Sequence, residues 1–145
     1  MARVLAIDYG TKRVGLAVTD PMKIIANTLT TVHAKDVIRF LKEYLAKEEV
    51  ECFVVGKPLK LSGAVSDSFI HVEKFINLLR KSFPDIPVEM VDERFTSSLA
   101  RNTLHQMGLN KKNREKKENL DQVSAAIILQ TYLEMKNNES KTFNI

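Results

Sequence analysis

With 145 residues, the chain is long enough for one domain with a hydrophobic core and too short for two lobes that close around a ligand. Hydrophobic residues make up 44% of the sequence, and no apolar stretch approaches the roughly 20 residues that cross a bilayer, which excludes a transmembrane helix. The net charge of +4 permits a polyanionic partner without requiring one. Because the N-terminus lacks the features of a signal peptide, we expect a cytoplasmic protein.

The first third of the chain is predicted to form three strands. Val4–Ile7 is a continuous apolar run that stops at a turn beginning with Asp8, as is typical of a strand buried on both faces. Val14–Val18 follows after too few residues for a parallel crossover, so these two strands should pair as an antiparallel hairpin. The β-branched residues between Ile24 and Val32 predict the third strand.

Helical and extended spacing then alternate. The pattern predicts a helix over residues 36–48, a strand at Glu51–Val55, a helix with apolar positions from Phe69 to Leu79, a strand at Val88–Val91, a helix carrying Leu99 and Met107, and a last helix capped by Asn119. This order requires right-handed crossovers and gives an α/β three-layer domain, a mixed five-stranded sheet flanked by helices. We expect this domain to span residues 1–136, with residues 137–145 as a polar C-terminal tail. The single cysteine, Cys52, lies in an apolar run and is expected to be a buried structural thiol.

Three carboxylates occupy positions that favour catalysis. Asp8 and Glu93 follow strands whose carboxyl ends should meet at one end of the sheet, and Asp121 lies in the first turn of the predicted final helix. If that helix packs over the same end, the three carboxylates converge, and their mutual repulsion requires cations. Acidic oxygens without a nearby histidine or thiolate suit Mg²⁺ or Mn²⁺, which can support phosphodiester hydrolysis.

Each carboxylate also has a structural interpretation. Asp121 would interact favourably with the helix dipole, Asp8 could hydrogen-bond its own turn, and Glu93 could belong to a surface ion-pair cluster with its neighbours. The catalytic interpretation therefore depends on all three together. The three histidines, His33, His71 and His105, show no ligand spacing and no pairing with a nucleophile, which argues against covalent catalysis.

Basic residues lie near the same predicted positions. Lys12 and Arg13 adjoin the Asp8 turn, where they could contact phosphates or shield the carboxylates, and Lys57 is open to the same two interpretations. A charge-dense segment before Asp121 is either a solvated loop or a clamp for a phosphate backbone. Its cations are Lys111, Lys112, Arg114, Lys116 and Lys117.

Four motifs, read together, resemble those of the YqgF family, the RuvX-like pre-16S rRNA nucleases. They are Ala6–Val18, Val54–Leu59, Val91–Ser97 and Leu120–Gln130, and the match covers nearly all of residues 2 to 135. The resemblance implies an RNase H-like fold in which Asp8, Glu93 and Asp121 bind the metal ions. It also implies that Arg94, in the third motif, belongs with the nucleic-acid-binding residues.

The same resemblance implies a substrate, the 5′ end of precursor small-subunit rRNA, with ribosomal subunit precursors as further partners. Relatedness to Holliday-junction resolvases supplies branched DNA as the competing substrate. The chain departs from the family at Lys60–Val65, where the family more often has an Asn-Met-Asp-Gly-like stretch.

Two other classes of function are compatible with parts of the pattern. Actin-like and sugar-kinase ATPases also open with Asp-x-Gly-Thr on a hairpin, but they close two lobes on ATP, and this chain has one hairpin of this kind. A non-catalytic nucleic-acid-binding or ribosome-assembly module could keep the fold and cleave nothing.

Overall fold

The computed structural model describes residues 2–58, 67–92 and 117–143, with side chains in the last segment described over residues 120–137. Within these ranges the chain forms five strands and three helices. The strands are β1 (Arg3–Tyr9), β2 (Arg13–Thr19), β3 (Ala26–His33), β4 (Val50–Lys57) and β5 (Val88–Asp92), and the helices are α1 (Val37–Leu45), α2 (Phe69–Ser82) and α3 (Lys117–Phe143). The predicted helix carrying Leu99 and Met107 lies outside the described residues, as does the Lys60–Val65 loop.

The strands form one mixed sheet in the order β3-β2-β1-β4-β5. The first three strands are antiparallel neighbours, with Leu5 opposite Val18 in the predicted hairpin. Strands β1, β4 and β5 are parallel, so all three finish at the same end of the sheet. We call this the carboxyl end and the opposite one the amino end. The mixed five-stranded sheet is as the sequence predicted.

Helices α1 and α2 cover one face of the sheet. Alternate residues of the central strands, among them Leu5, Ile7 and Leu16, point to this face and are fully buried. They pack with Leu41 of α1 and Leu79 of α2, which belong to the apolar stripes predicted from helical spacing. This layer holds the larger of the two cores.

Helix α3 covers the other face, where the side chains are smaller. Ala6 of β1 and Ala17 of β2 point to this face and pack with Ala125, Ile128 and Leu129 of α3. Small residues on both surfaces let the helix backbone lie close to the sheet. The two covered faces confirm the predicted three-layer arrangement.

The structure corrects two details of the sequence prediction, the start of the last helix and the start of β3. Helix α3 begins at Lys117, so the predicted cap at Asn119 is wrong and Asp121 lies in the second turn. The same helix continues to Phe143, so most of the predicted polar tail is helical, and the domain boundary at residue 136 stays a prediction. Strand β3 begins at Ala26, because the Asp20 carboxylate accepts hydrogen bonds from the backbone N–H groups of Ile24 and Ile25, 2.8 and 2.7 Å away, and fixes them in a turn.

Candidate nuclease site at the carboxyl end of the sheet

Asp8 is the penultimate residue of β1, at the carboxyl end of the sheet. Alternation along the strand places it on the α3 face, after Val4 and Ala6, which are buried under that helix. Its partner across the hairpin is Gly15 of β2. Asp8 is half-buried, so its carboxylate is held by a rigid central strand and is still reached by solvent.

Helix α3 lies very close to the sheet at Gly15. Of the glycines whose surroundings are described, Gly15 leaves the least room for a Cβ. A Cβ placed on Gly15 would overlap the backbone carbonyl of Asp121 and lie 3.0 Å from its Cα. Only a residue without a side chain permits this contact. Asp8, beside Gly15 on the neighbouring strand, and Asp121, above it on the helix, are therefore brought to the same place.

Asp121 is paired with Arg13. The Arg13 Nε donates a hydrogen bond to Asp121 Oδ2 at 3.0 Å, and the two side chains are 37% and 24% exposed. Arg13 opens β2 two residues before Gly15, so it points to the same face. Because the dipole effect is confined to the first turn of a helix, the structural interpretation of Asp121 as a dipole partner loses its basis.

These residues fit a divalent cation. Two carboxylates, Asp8 and Asp121, lie on either side of Gly15, and a cationic guanidinium already compensates one of them. Oxygen donors of this kind are the ligands that Mg²⁺ and Mn²⁺ prefer. Within the described part of the chain no three potential ligands group together. The third predicted carboxylate, Glu93, directly follows the last residue of β5 in the sequence and lies outside the described residues.

Two further basic residues lie at the carboxyl end. Lys12 is exposed in the turn between β1 and β2. Lys57 ends β4, and its Nζ lies 5.3 Å from the centre of the Phe69 ring at the start of α2. The other predicted nucleic-acid-binding side chains lie outside the described side chains. They are Arg94, Lys111, Lys112, Arg114, Lys116 and Lys117.

Cys52 and the described histidines agree with their predicted structural roles. Cys52 is buried and unbonded to another cysteine, and burial raises the pKa of its thiol to about 11. His33 and His71 are exposed. His105 lies outside the described residues.

Sequence reasoning missed two features of the site. It assigned no role to Gly15, although Gly15 and Ala17 alternate with the large residues Val14 and Leu16, a pattern that indicates a close neighbour on one face. It also did not decide whether Arg13 contacts phosphates or shields the carboxylates. The structure shows that Arg13 contacts Asp121.

In the described residues we find no helix with both the length and the apolar character needed to cross a membrane.

Comparisons with known proteins agree on one family. A family model described as RuvX, Holliday junction resolvase, matches residues 2–135. A protein from Bacteroides thetaiotaomicron named "Putative pre-16S rRNA nuclease" is 49% identical over 94% of this chain and 99% of its own length. One of the same name from Phocaeicola vulgatus is 52% identical over 94% of this chain and 98% of its own.

A solved structure shares the fold. RuvC from T. thermophilus, in complex with a Holliday junction substrate, superposes with a TM-score of 0.59 at 16% identity, over 93% of this chain and 96% of that one. This likeness confirms the RNase H-like fold that the motifs implied.

Proposed function

The chain belongs to the RuvX family, and we propose that it is a metal-dependent endonuclease that hydrolyses phosphodiester bonds at the 5′ end of precursor 16S rRNA. The observation that carries this proposal is the position of Asp8 and Asp121 on either side of Gly15. Two acidic residues separated by more than 100 positions in the sequence are each next to Gly15 at the carboxyl end of the sheet, where α/β domains bind their substrates.

In this proposal Asp8, Glu93 and Asp121 hold Mg²⁺ or Mn²⁺. The bound metal would supply a Lewis acid that activates water and stabilises the leaving oxygen. Strand β1, buried on both faces, fixes the direction of the Asp8 carboxylate, and the contact with Gly15 fixes the start of α3. Rigid placement of this kind is what a catalytic carboxylate requires.

The basic residues at the carboxyl end would bind the phosphate backbone. Lys12 and Lys57 lie on opposite sides of β1, with Lys57 pointing to the α2 face, so a strand of nucleic acid held by both crosses the end of the sheet at which Asp8 lies. We propose the same role for Arg94 and for the cations of the segment before α3. A cytoplasmic location and an association with ribosomal subunit precursors follow from this substrate and belong to the same proposal.

Branched DNA is the second candidate substrate. It is favoured by the description of the matching family model as a Holliday junction resolvase. The two substrates require the same carboxylates, so cleavage chemistry alone does not separate them.

The test offers the purified full-length protein a precursor 16S rRNA fragment with its 5′ extension and, separately, a four-way DNA junction. We expect cleavage of the rRNA with Mg²⁺ or Mn²⁺ and none with EDTA. Asp8→Asn, Glu93→Gln and Asp121→Asn should each lower the cleavage rate by about 100-fold or more. Substitution of residues that only support metal ligands already lowers metal affinity or activity by up to about that factor.

Asp36→Asn is the matched control. Asp36 is an aspartate before α1 that pairs with Arg39, and its substitution removes the same charge beside the helix that covers the opposite face of the sheet from α3. Cleavage that survives EDTA or the three site variants would overturn the metal–carboxylate mechanism. Preferential cleavage of the junction would show that branched DNA, and not precursor rRNA, is the substrate. Binding of rRNA without any cleavage would show that the protein is a non-catalytic assembly module.

A further inference from the structure

The ion pair between Arg13 and Asp121 has a consequence for metal binding. Arg13 donates from Nε to Asp121 Oδ2 at 3.0 Å, so one oxygen of a proposed metal ligand is already occupied by a positive group. A divalent cation that binds Asp121 must displace the guanidinium or tolerate it at close range. Repulsion between two cations in a half-buried site favours displacement.

The Arg13 guanidinium can leave Asp121 without disturbing the surrounding structure. Its backbone is fixed at the start of β2, where it pairs with His33 of β3. Its side chain is 37% exposed, so a released guanidinium reaches solvent without disturbing the core. A guanidinium matches the geometry of a phosphate and binds it with two parallel hydrogen bonds.

We propose that Arg13 exchanges partners during substrate binding. In the metal-free protein it neutralises Asp121, and when a divalent cation takes its place on Asp121, Arg13 turns to a phosphate of the nucleic acid. Metal and phosphate binding then strengthen each other, because each removes one partner of the ion pair, and this coupling must be reciprocal. The inference rests on the proposed function, in that Asp121 is taken as a metal ligand, and it makes Arg13 a phosphate-binding residue.

The exchange predicts that removing the Arg13 charge improves metal binding. Mn²⁺ affinity is measured by calorimetric titration of the metal into the full-length protein without nucleic acid. The Mn²⁺ affinity of Arg13→Gln should be at least about fivefold higher than that of the unaltered protein. A factor of this size is typical of coupling between two binding sites. Arg13→Lys should show a smaller gain, because it keeps the charge and loses the planar fork.

Arg39→Gln is the matched control, since it removes the same charge from a more exposed arginine–aspartate pair of similar length, Arg39 Nη2 to Asp36 Oδ1 at 3.1 Å. Its Mn²⁺ affinity should equal that of the unaltered protein. A merely structural role of Arg13 predicts the opposite sign, since a looser Asp121 would bind the metal more weakly.

The second readout is the affinity for a single-stranded RNA with phosphorothioate linkages, measured by fluorescence anisotropy with and without Mn²⁺. The metal-dependent gain in RNA affinity should be smaller in Arg13→Gln than in Arg39→Gln.

If the unaltered protein binds Mn²⁺ and Arg13→Gln binds it equally or less tightly, the exchange is overturned while the proposed nuclease stands. If neither protein binds Mn²⁺ at millimolar concentration, the metal site and the exchange fall together. Should Arg13→Gln fail to fold, Arg13→Lys alone decides between tighter and weaker Mn²⁺ binding.

Discussion

Glu89, Tyr132 and Cys52 form a polar contact between the sheet and α3, separate from the Arg13–Asp121 pair. The Tyr132 hydroxyl donates to the Glu89 carboxylate, and this hydrogen bond, aided by Lys136, holds the pKa of Glu89 below its ordinary value of 4.5. Burial, followed by the contact with Glu89, raises the pKa of Tyr132. The group lies towards the amino end of the sheet, away from Asp8, so its role is to tie the later turns of α3 to β5.

Tyr132→Phe tests this role through the pH dependence of stability. The pKa of Glu89 should rise towards 4.5, and the free energy of unfolding at pH 7 should fall by about 1 kcal/mol or less, because the Glu89 side chain is 41% exposed and water screens the bond. A depressed pKa contributes stability above the ordinary value and loses it as the pH falls through the folded-state value. The difference between the two proteins should therefore shrink below pH 4.5.

NMR titration of the Glu89 carboxyl and urea unfolding at several pH values give the two measurements. Tyr44→Phe, which alters a half-buried tyrosine in the other layer, should leave the Glu89 pKa unchanged. A stability difference that stays constant into the acid range would contradict the assigned hydrogen bond.

At the scale of elements, the contact between β2 and the second turn of α3 determines the site. Gly15 lies beneath the backbone of Asp121, and Arg13 of the same strand holds its carboxylate. Helix α3 thus reaches the carboxyl end of the sheet in one orientation, which a glycine and a charged pair specify together. A sheet face lined by larger residues would hold the helix further away.

Gly15→Ala is expected to displace the start of α3. The added methyl group meets backbone atoms of Asp121, which cannot rotate aside as a side chain does. We expect a loss of about 1 to 3 kcal/mol in the free energy of unfolding, the usual cost of overpacking, together with chemical-shift changes along α3. Urea unfolding and NMR spectra check both.

Gly10→Ala provides the contrast. A Cβ on Gly10 would lie 2.7 Å from the Arg13 backbone oxygen, so its strain falls at the start of β2 and not on the backbone of α3. Shifts in the later turns of α3 should be larger for Gly15→Ala than for Gly10→Ala. Equal perturbation of α3 by both substitutions would show that the Gly15 contact does not position the helix.

These elements show what the sequence can and cannot predict. Periodicity and run length located the strands and the apolar stripes of α1 and α2, because those patterns depend on local burial. The pairing of Arg13 with Asp121 spans 108 positions, and no local pattern encodes a contact that depends on how α3 crosses the sheet. The sequence pattern places the start of α3 too late, because the charge of Lys117 and Glu118 predicts a loop, although both are good helix formers.

For the whole molecule, the strand order distributes charge unevenly around β1. Lys12 and Arg13 lie on the β2 side of Asp8, and Lys57 lies on the β4 side and points to the α2 face, so the carboxyl end carries cations on both sides of β1. At the amino end, Lys42 and Lys47 are exposed near the end of α1, beside the acidic residues Glu48 and Glu49. Among the described residues, this arrangement favours the carboxyl end for a polyanion.

This asymmetry predicts where nucleic acid binds. The double variant Lys12→Ala with Lys57→Ala should weaken binding of single-stranded RNA and lower the slope of log affinity against log salt by about 0.7 for each phosphate that the protein no longer neutralises. Lys42→Ala with Lys47→Ala removes the same charge at the amino end and should change the slope little. Fluorescence anisotropy between 50 and 200 mM salt, about the range in which such ionic interactions dominate affinity, compares the two. Because both variants carry the same net charge, an equal decrease of affinity and slope would mean that RNA senses only the total charge, and the carboxyl end would not be the binding surface.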